Sequence, residues 1–87
     1  MVFRIESAAL GKFTVFILSG QIDQQAIVEL SKLLQLQVGY CNIVIDLENV
    51  SLIDRAAMRF LARCEADGVK LENCASYIRE WMEREKD

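Results

Sequence analysis

Asp54 stands where an apolar run over 43–47 has passed through a polar turn and an amphipathic segment begins. A carboxylate at such a helix start can accept backbone N–H bonds and is favoured by the helix dipole. Its neighbours Arg55, Ala56 and Ala57 bring neither a nucleophile nor a hydroxyl, which argues against catalysis or phosphoryl acceptance at this junction. Asp23, ahead of another amphipathic segment, poses the same choice between a structural cap and a polar contact. Arg55, Arg59 and Arg63 recur every four residues and form a basic stripe along one helix face. The stripe reads either as a solvated face, with Arg63 paired to Asp67 at the same spacing, or as a docking surface for an acidic partner.

Other chemistries find little to work with. Ser7, Ser19, Ser31, Ser51 and Ser76 have no histidine in the chain to serve as a base, and no glycine-rich phosphate loop is present. Cys41, Cys64 and Cys74 are widely spaced and lack a histidine neighbour, so they read as buried thiols and not as zinc ligands. The sequence thus predicts a non-enzymatic chain with no catalytic residue, no metal and no cofactor. One alternative uses the same helix start as an anion site, making the domain a sensor of a nucleotide or another small molecule.

With 87 residues there is room for one small core. A composition of 53% hydrophobic and 26% charged residues, arranged periodically, is that of a globular chain and not of a disordered one. The net charge of -3 opposes nucleic-acid binding, which needs a concentrated basic face. No apolar run approaches the roughly 18–20 residues that span a bilayer, and Arg4 and Glu6 lie where a signal peptide would be apolar. These features predict a cytoplasmic protein without membrane insertion.

The elements that must position these residues follow from periodicity. Phe3 and Ile5 alternate with Arg4 and Glu6, a turn over 9–12 contains Gly11, and 13–18 is rich in β-formers, which predicts an antiparallel hairpin. Gly20 should end the second strand. Asp23 should cap a helix carrying Ala26, Ile27, Leu30, Leu33 and Leu34 and ending near Gly39. Residues 42–47 read as a central strand, apolar on both faces. From Asp54 a second helix buries Ala57, Met58, Phe60, Leu61 and Cys64 and stops at Gly68. A short strand over 69–72 follows, and Asn73 should cap a last helix with Tyr77, Ile78, Trp81 and Met82 on one side. That side reads first as core and second as the face of a homodimer. The order ββαβαβα predicts a small α/β fold with a mixed, mainly parallel sheet of four strands and three helices.

Two motifs in this order resemble the STAS domain, the family of bacterial anti-sigma-factor antagonists and of cytoplasmic domains of sulfate transporters. Gly20-Gln21-Ile22-Asp23 is similar to the family's Gly-Glu-Leu-Asp, and Val44-Ile45-Asp46-Leu47 through Val50, Leu52, Ile53 and Asp54 is similar to its strand and Asp-Ser-Ser-Gly loop. Gly68-Val69-Lys70-Leu71 fits the glycine and strand after the second helix, so the likeness spans nearly the whole chain as one STAS-like domain over 1–87. Two departures matter. Arg55, Ala56 and Ala57 stand where the family has Ser, Ser and Gly, so the phosphoacceptor serine is replaced by Ala56. The family commonly adds a strand and helix after the third helix, whereas this sequence stops at Asp87, which predicts an exposed edge strand or apolar helix face.

The resemblance implies a protein-interaction module in which Asp23, Asp54, Arg55, Ala56, Ala57, Arg59 and Arg63 form the contact surface, the Asp23 loop lying beside the Asp54 loop. It implies as partner an anti-sigma-type kinase or a transporter ATPase subunit. The missing serine implies binding that phosphorylation of this loop does not switch.

Overall fold

Apolar and charged residues alternating at the start of β1 (Phe3–Leu10), and a run of β-formers in β2 (Phe13–Ile22), fold the first two strands into a hairpin with Leu10 opposite Phe13. The computed structural model describes residues 3–37, 39 and 42–84. The hairpin turn is tighter than the 9–12 turn read from the sequence. Gly11 takes φ 64 at the first of two central positions, as a II′-type turn requires, and both strands therefore run up to it. Gly20 does not end β2. At φ 84 it is absorbed as an irregularity, and the register against the next strand shifts between Ile17 and Ser19 and again between Gly20 and Gln21.

The remaining elements are α1 (Gln24–Gln35), β3 (Ile43–Ile53), α2 (Arg55–Ala66), β4 (Lys70–Glu72) and α3 (Ser76–Arg84). The four strands form one sheet in the order β1-β2-β3-β4, antiparallel at the hairpin and parallel at β2-β3 and β3-β4, as the ββαβαβα reading predicts. β3 is one of two interior strands. It continues through the turn predicted after Leu47 because β2 continues too: Ser19 through Ile22 keep pairing with Asn49 through Ile53.

Helix boundaries differ from the sequence reading at the end of α1 and at the start of α3. α1 stops at the C-cap Leu36, short of Gly39, with the Leu36 and Gln37 N–H groups donating to the Leu33 and Leu34 carbonyls. α2 does end at its glycine: Gly68 has φ 113, and the N–H groups of Gly68 and Val69 donate to the carbonyls of Glu65 and Cys64, the two bonds of a Schellman motif. Asn73 is not the cap of α3. Its backbone is left-handed at φ 57, and its side-chain Nδ2 donates to Asp46 Oδ1 at 3.0 Å, tying the β4–α3 loop to β3. The first turn of α3 closes instead on the Ala75 carbonyl, which accepts from the Ile78 and Arg79 N–H groups.

All three helices contribute to one core on one face of the sheet. Phe16, Leu18, Ile43, Ile45 and Leu47 meet Ala26, Leu30 and Leu34 of α1, Ala57, Met58, Leu61 and Cys64 of α2, and Ile78 and Met82 of α3. Val44 is buried yet stands outside that cluster, on the sheet face it shares by register with Val15 and Lys70. Charged neighbours pair along that second face, Arg4 with Glu6 at 3.1 Å and Lys70 with Glu72 at 3.8 Å. Among the described residues no helix is long and apolar enough to cross a membrane.

Of the side chains predicted to line the core side of α3, Tyr77 does not. It is 47% exposed, whereas Ile78 and Met82 are buried and Trp81 is half-buried against the core. Cys64 is buried and Cys74 half-buried; Cys41 lies outside the described residues.

Candidate functional site

Both predicted aspartate caps form, for the same local reason. Each aspartate follows a strand in extended backbone, Asp23 at φ -120 and Asp54 at φ -91, and turns its carboxylate onto the N–H three residues on. Asp23 Oδ1 accepts from the Ala26 N–H at 3.1 Å, and Asp54 Oδ1 from the Ala57 N–H at 2.8 Å. The first turns of α1 and α2 contain no acidic side chain, so the caps are the carboxylates that meet the positive helix ends.

The two junctions are neighbours. Ile22 pairs with Ile53 in the parallel ladder, and the Asp54 N–H donates to the Ile22 carbonyl at 3.2 Å, so both helices spring from the same end of the sheet side by side. The loop adjacency implied by the resemblance is thus present in the fold. In open parallel sheets this carboxyl end of the strands is where binding surfaces collect.

Around the junctions, Asp54, Arg55, Ala56, Arg59 and Arg63 are exposed and Asp23 is half-buried. Ala57 departs from the predicted contact set: its side chain is fully buried and its N–H is taken by Asp54, so it supports the loop from beneath. Arg59 and Arg63 flank a shallow hollow of about 480 Å³ between α1 and α2, lined also by Gln24, Ile27, Ala56 and Phe60. Arg55, at the helix start, stands outside it. The predicted ion pair between Arg63 and Asp67 does not form among the described residues; Asp67 instead serves as the C-cap, its N–H donating to the Arg63 carbonyl at 3.0 Å. Sequence reasoning missed Ile27 and Phe60 as members of this surface. Both are apolar at helical spacing, which marks them for the core, and their partial exposure depends on how closely α1 approaches α2.

The thiols do not join the site. Burial pushes Cys64 up to about 11, with Asp67 adding to the effect and Arg63 opposing it. Burial likewise raises Cys74. Neither favours the thiolate that metal binding or nucleophilic attack needs. No group of three or more potential metal-ligating side chains occurs among the described residues.

No known family profile and no curated protein matches the chain. Solved structures do. The phosphorylated form of the Bacillus cell fate determinant SpoIIAA superposes with a TM-score of 0.65 at 17% identity, over 97% of this chain and 83% of that one. The anti-sigma factor antagonist SpoIIAA in its unphosphorylated form gives 0.64 at 18% identity, over 93% and 81%. The protein Mglu gives 0.59 at 24% identity over 82% of this chain, which spans 20% of Mglu's length. The chain therefore has the SpoIIAA fold, the fold of the STAS domain.

Proposed function

We propose that this chain is a non-enzymatic, cytoplasmic protein-interaction module of the anti-sigma-factor-antagonist kind, docking through the Asp23 and Asp54 junctions and the exposed face of α2. The observation that carries this reading is the pairing of the two capped helix starts, Asp54 N–H on the Ile22 carbonyl, beside an arginine-flanked hollow. The contact set is Asp23, Asp54, Arg55, Ala56, Arg59 and Arg63, and its three arginines suit an acidic patch on the partner. An anti-sigma-type kinase or a transporter ATPase subunit is the kind of partner proposed.

Ala56 is exposed at the start of α2, where the family motif carries its phosphoacceptor serine. Binding is therefore not switched by phosphorylation of this loop. The nucleotide-sensing alternative is weakened by the caps themselves, since each already fills a helix N-terminus with a carboxylate that would repel phosphate.

Affinity capture from the native cell with the wild-type chain and with Arg59→Glu/Arg63→Glu as baits tests the reading. A protein retained by the first and lost from the second supports it. Equal retention removes the α2 face from the interface, and phosphate found on residues 51–60 after incubation with a retained kinase contradicts the missing switch.

A further inference from the structure

A second surface lies on the other side of the Asp54 junction and shares no residue with the contact set above. Leu52, near the end of β3, is 58% exposed, and Tyr77 on α3 is 47% exposed. With Ile53, Glu80, Trp81 and Arg84 they line an open hollow of about 490 Å³. Tyr77, Glu80, Trp81 and Arg84 follow helical spacing and form one row along α3. Ile78 and Met82 turn into the core and Arg79 reaches Glu65 of α2, so the row is the face that α3 leaves outward. Glu80 and Arg84 stand one helical turn apart, a spacing that allows an intrahelical pair, yet no ion pair joins them among the described residues.

We infer that this row is the seam of a two-fold homodimer in which α3 packs antiparallel to α3 of a second copy. A two-fold axis crossing the helix between Glu80 and Trp81 sets Tyr77 of each copy opposite Arg84 of the other. The guanidinium then lies over a phenol ring, and Glu80 reaches the same Arg84 across the axis. The two indoles meet near the axis, with Leu52 closing the strand side. Each contact occurs twice, as an isologous interface demands. The charge pattern selects the occupant: a partner surface of either single sign leaves Glu80 or Arg84 against a like charge, whereas a copy of this chain satisfies both. One short helix and a strand end bury less than a standard interface of roughly 1,600 Å², so the dimer belongs to the weak, concentration-dependent class.

Sedimentation of the full chain over a wide concentration range, with emission of its single tryptophan read in parallel, is the test. Dimer formation with a blue shift of Trp81 emission is expected toward high concentration. Glu80→Arg alone and Arg84→Glu alone should each weaken association roughly tenfold, because each mispairs two contacts at once. The double exchange Glu80→Arg/Arg84→Glu should recover association relative to either single exchange by rebuilding the charge pair, while staying weaker than the wild type because the cation–ring contact with Tyr77 is not rebuilt. Both residues are exposed or at the rim, so far-UV dichroism of these variants should match the wild type. A monomer at all concentrations, or a dimer indifferent to either single exchange, overturns the inference. Failure of the double exchange to recover association relative to the single exchanges overturns the antiparallel pairing.

Discussion

Helix α2 begins under the Asp54 carboxylate, buries Ala57, Met58, Leu61 and Cys64, and closes on Gly68 in the left-handed region. Helix α3 begins on the Ala75 carbonyl, buries Ile78 and Met82, and is tied to α2 by Arg79 and Glu65 at 2.8 Å. Both lie on the same face of the same sheet, but one is fixed at its two ends and along its length while the other rests on Ile78, Met82, the half-buried Trp81 and a half-exposed ion pair. The outward faces differ accordingly. α2 presents arginines over a rigid base, which suits oriented contact with charged groups. α3 presents tyrosine, tryptophan and a mixed charge pair, which suits apolar contact with a like surface.

Four measurements break or sharpen this contrast. The largest effect belongs to the α2 core: Leu61→Ala, at a fully buried position, should lower the unfolding free energy by about 3 kcal/mol in urea titrations. In a domain this small that is a large share of the total. A loss below about 1 kcal/mol would show that α2 is not the better anchored helix.

Alkaline pH comes next. Cys64 has its thiol raised from 9.0 to about 11 by burial, so the unfolded chain releases that proton first. The stabilisation is complete below about pH 9, declines as pH rises from there, and is spent near pH 11, a loss of about 2–3 kcal/mol. The difference in stability between wild type and Cys64→Ala should therefore shrink over this window. A difference that stays constant from pH 8 to 11 would contradict a buried, protonated Cys64.

A smaller effect is expected at the cap. Asp54→Ala should cost about 1 kcal/mol, while Asn73→Gly should cost less, since its left-handed backbone suits glycine and only the exposed bond to Asp46 is lost. The smallest is Arg79→Ala, at about 0.5 kcal/mol, because the pair it makes with Glu65 is partly solvated. A larger loss there would mean that α3 depends on the ion pair more than on Ile78 and Met82.

What the sequence made legible follows the same contrast. Element order, the two aspartate caps, the Gly68 terminus and the buried face of α2 were readable because each is fixed by residues a few positions apart. The continuation of β2 and β3 past Gly20 and Leu47 was not, since each strand is prolonged by pairing with the other, which is non-local. Asn73 looked like a cap because capping and left-handed turns favour the same side chain, and its bond to Asp46 decided between them. At the candidate site, Asp54, Arg59 and Arg63 were visible from type and spacing. The burial of Ala57 and the partial exposure of Ile27 and Phe60 depend on how α1 and α2 pack, and Tyr77 was assigned inward because periodicity cannot set how wide a helix's buried stripe is.

The central claim is that the capped junctions and the face of α2 form a docking surface from which the phosphorylation switch is absent. Its most direct test is calorimetric titration of the captured partner with wild type, Ala56→Asp and Arg59→Glu/Arg63→Glu, each confirmed folded by its thermal midpoint. The account predicts that the wild type binds without prior kinase treatment and that both variants bind at least roughly tenfold more weakly, as negative charge placed against an acidic partner requires. Unchanged affinity in both variants would contradict it.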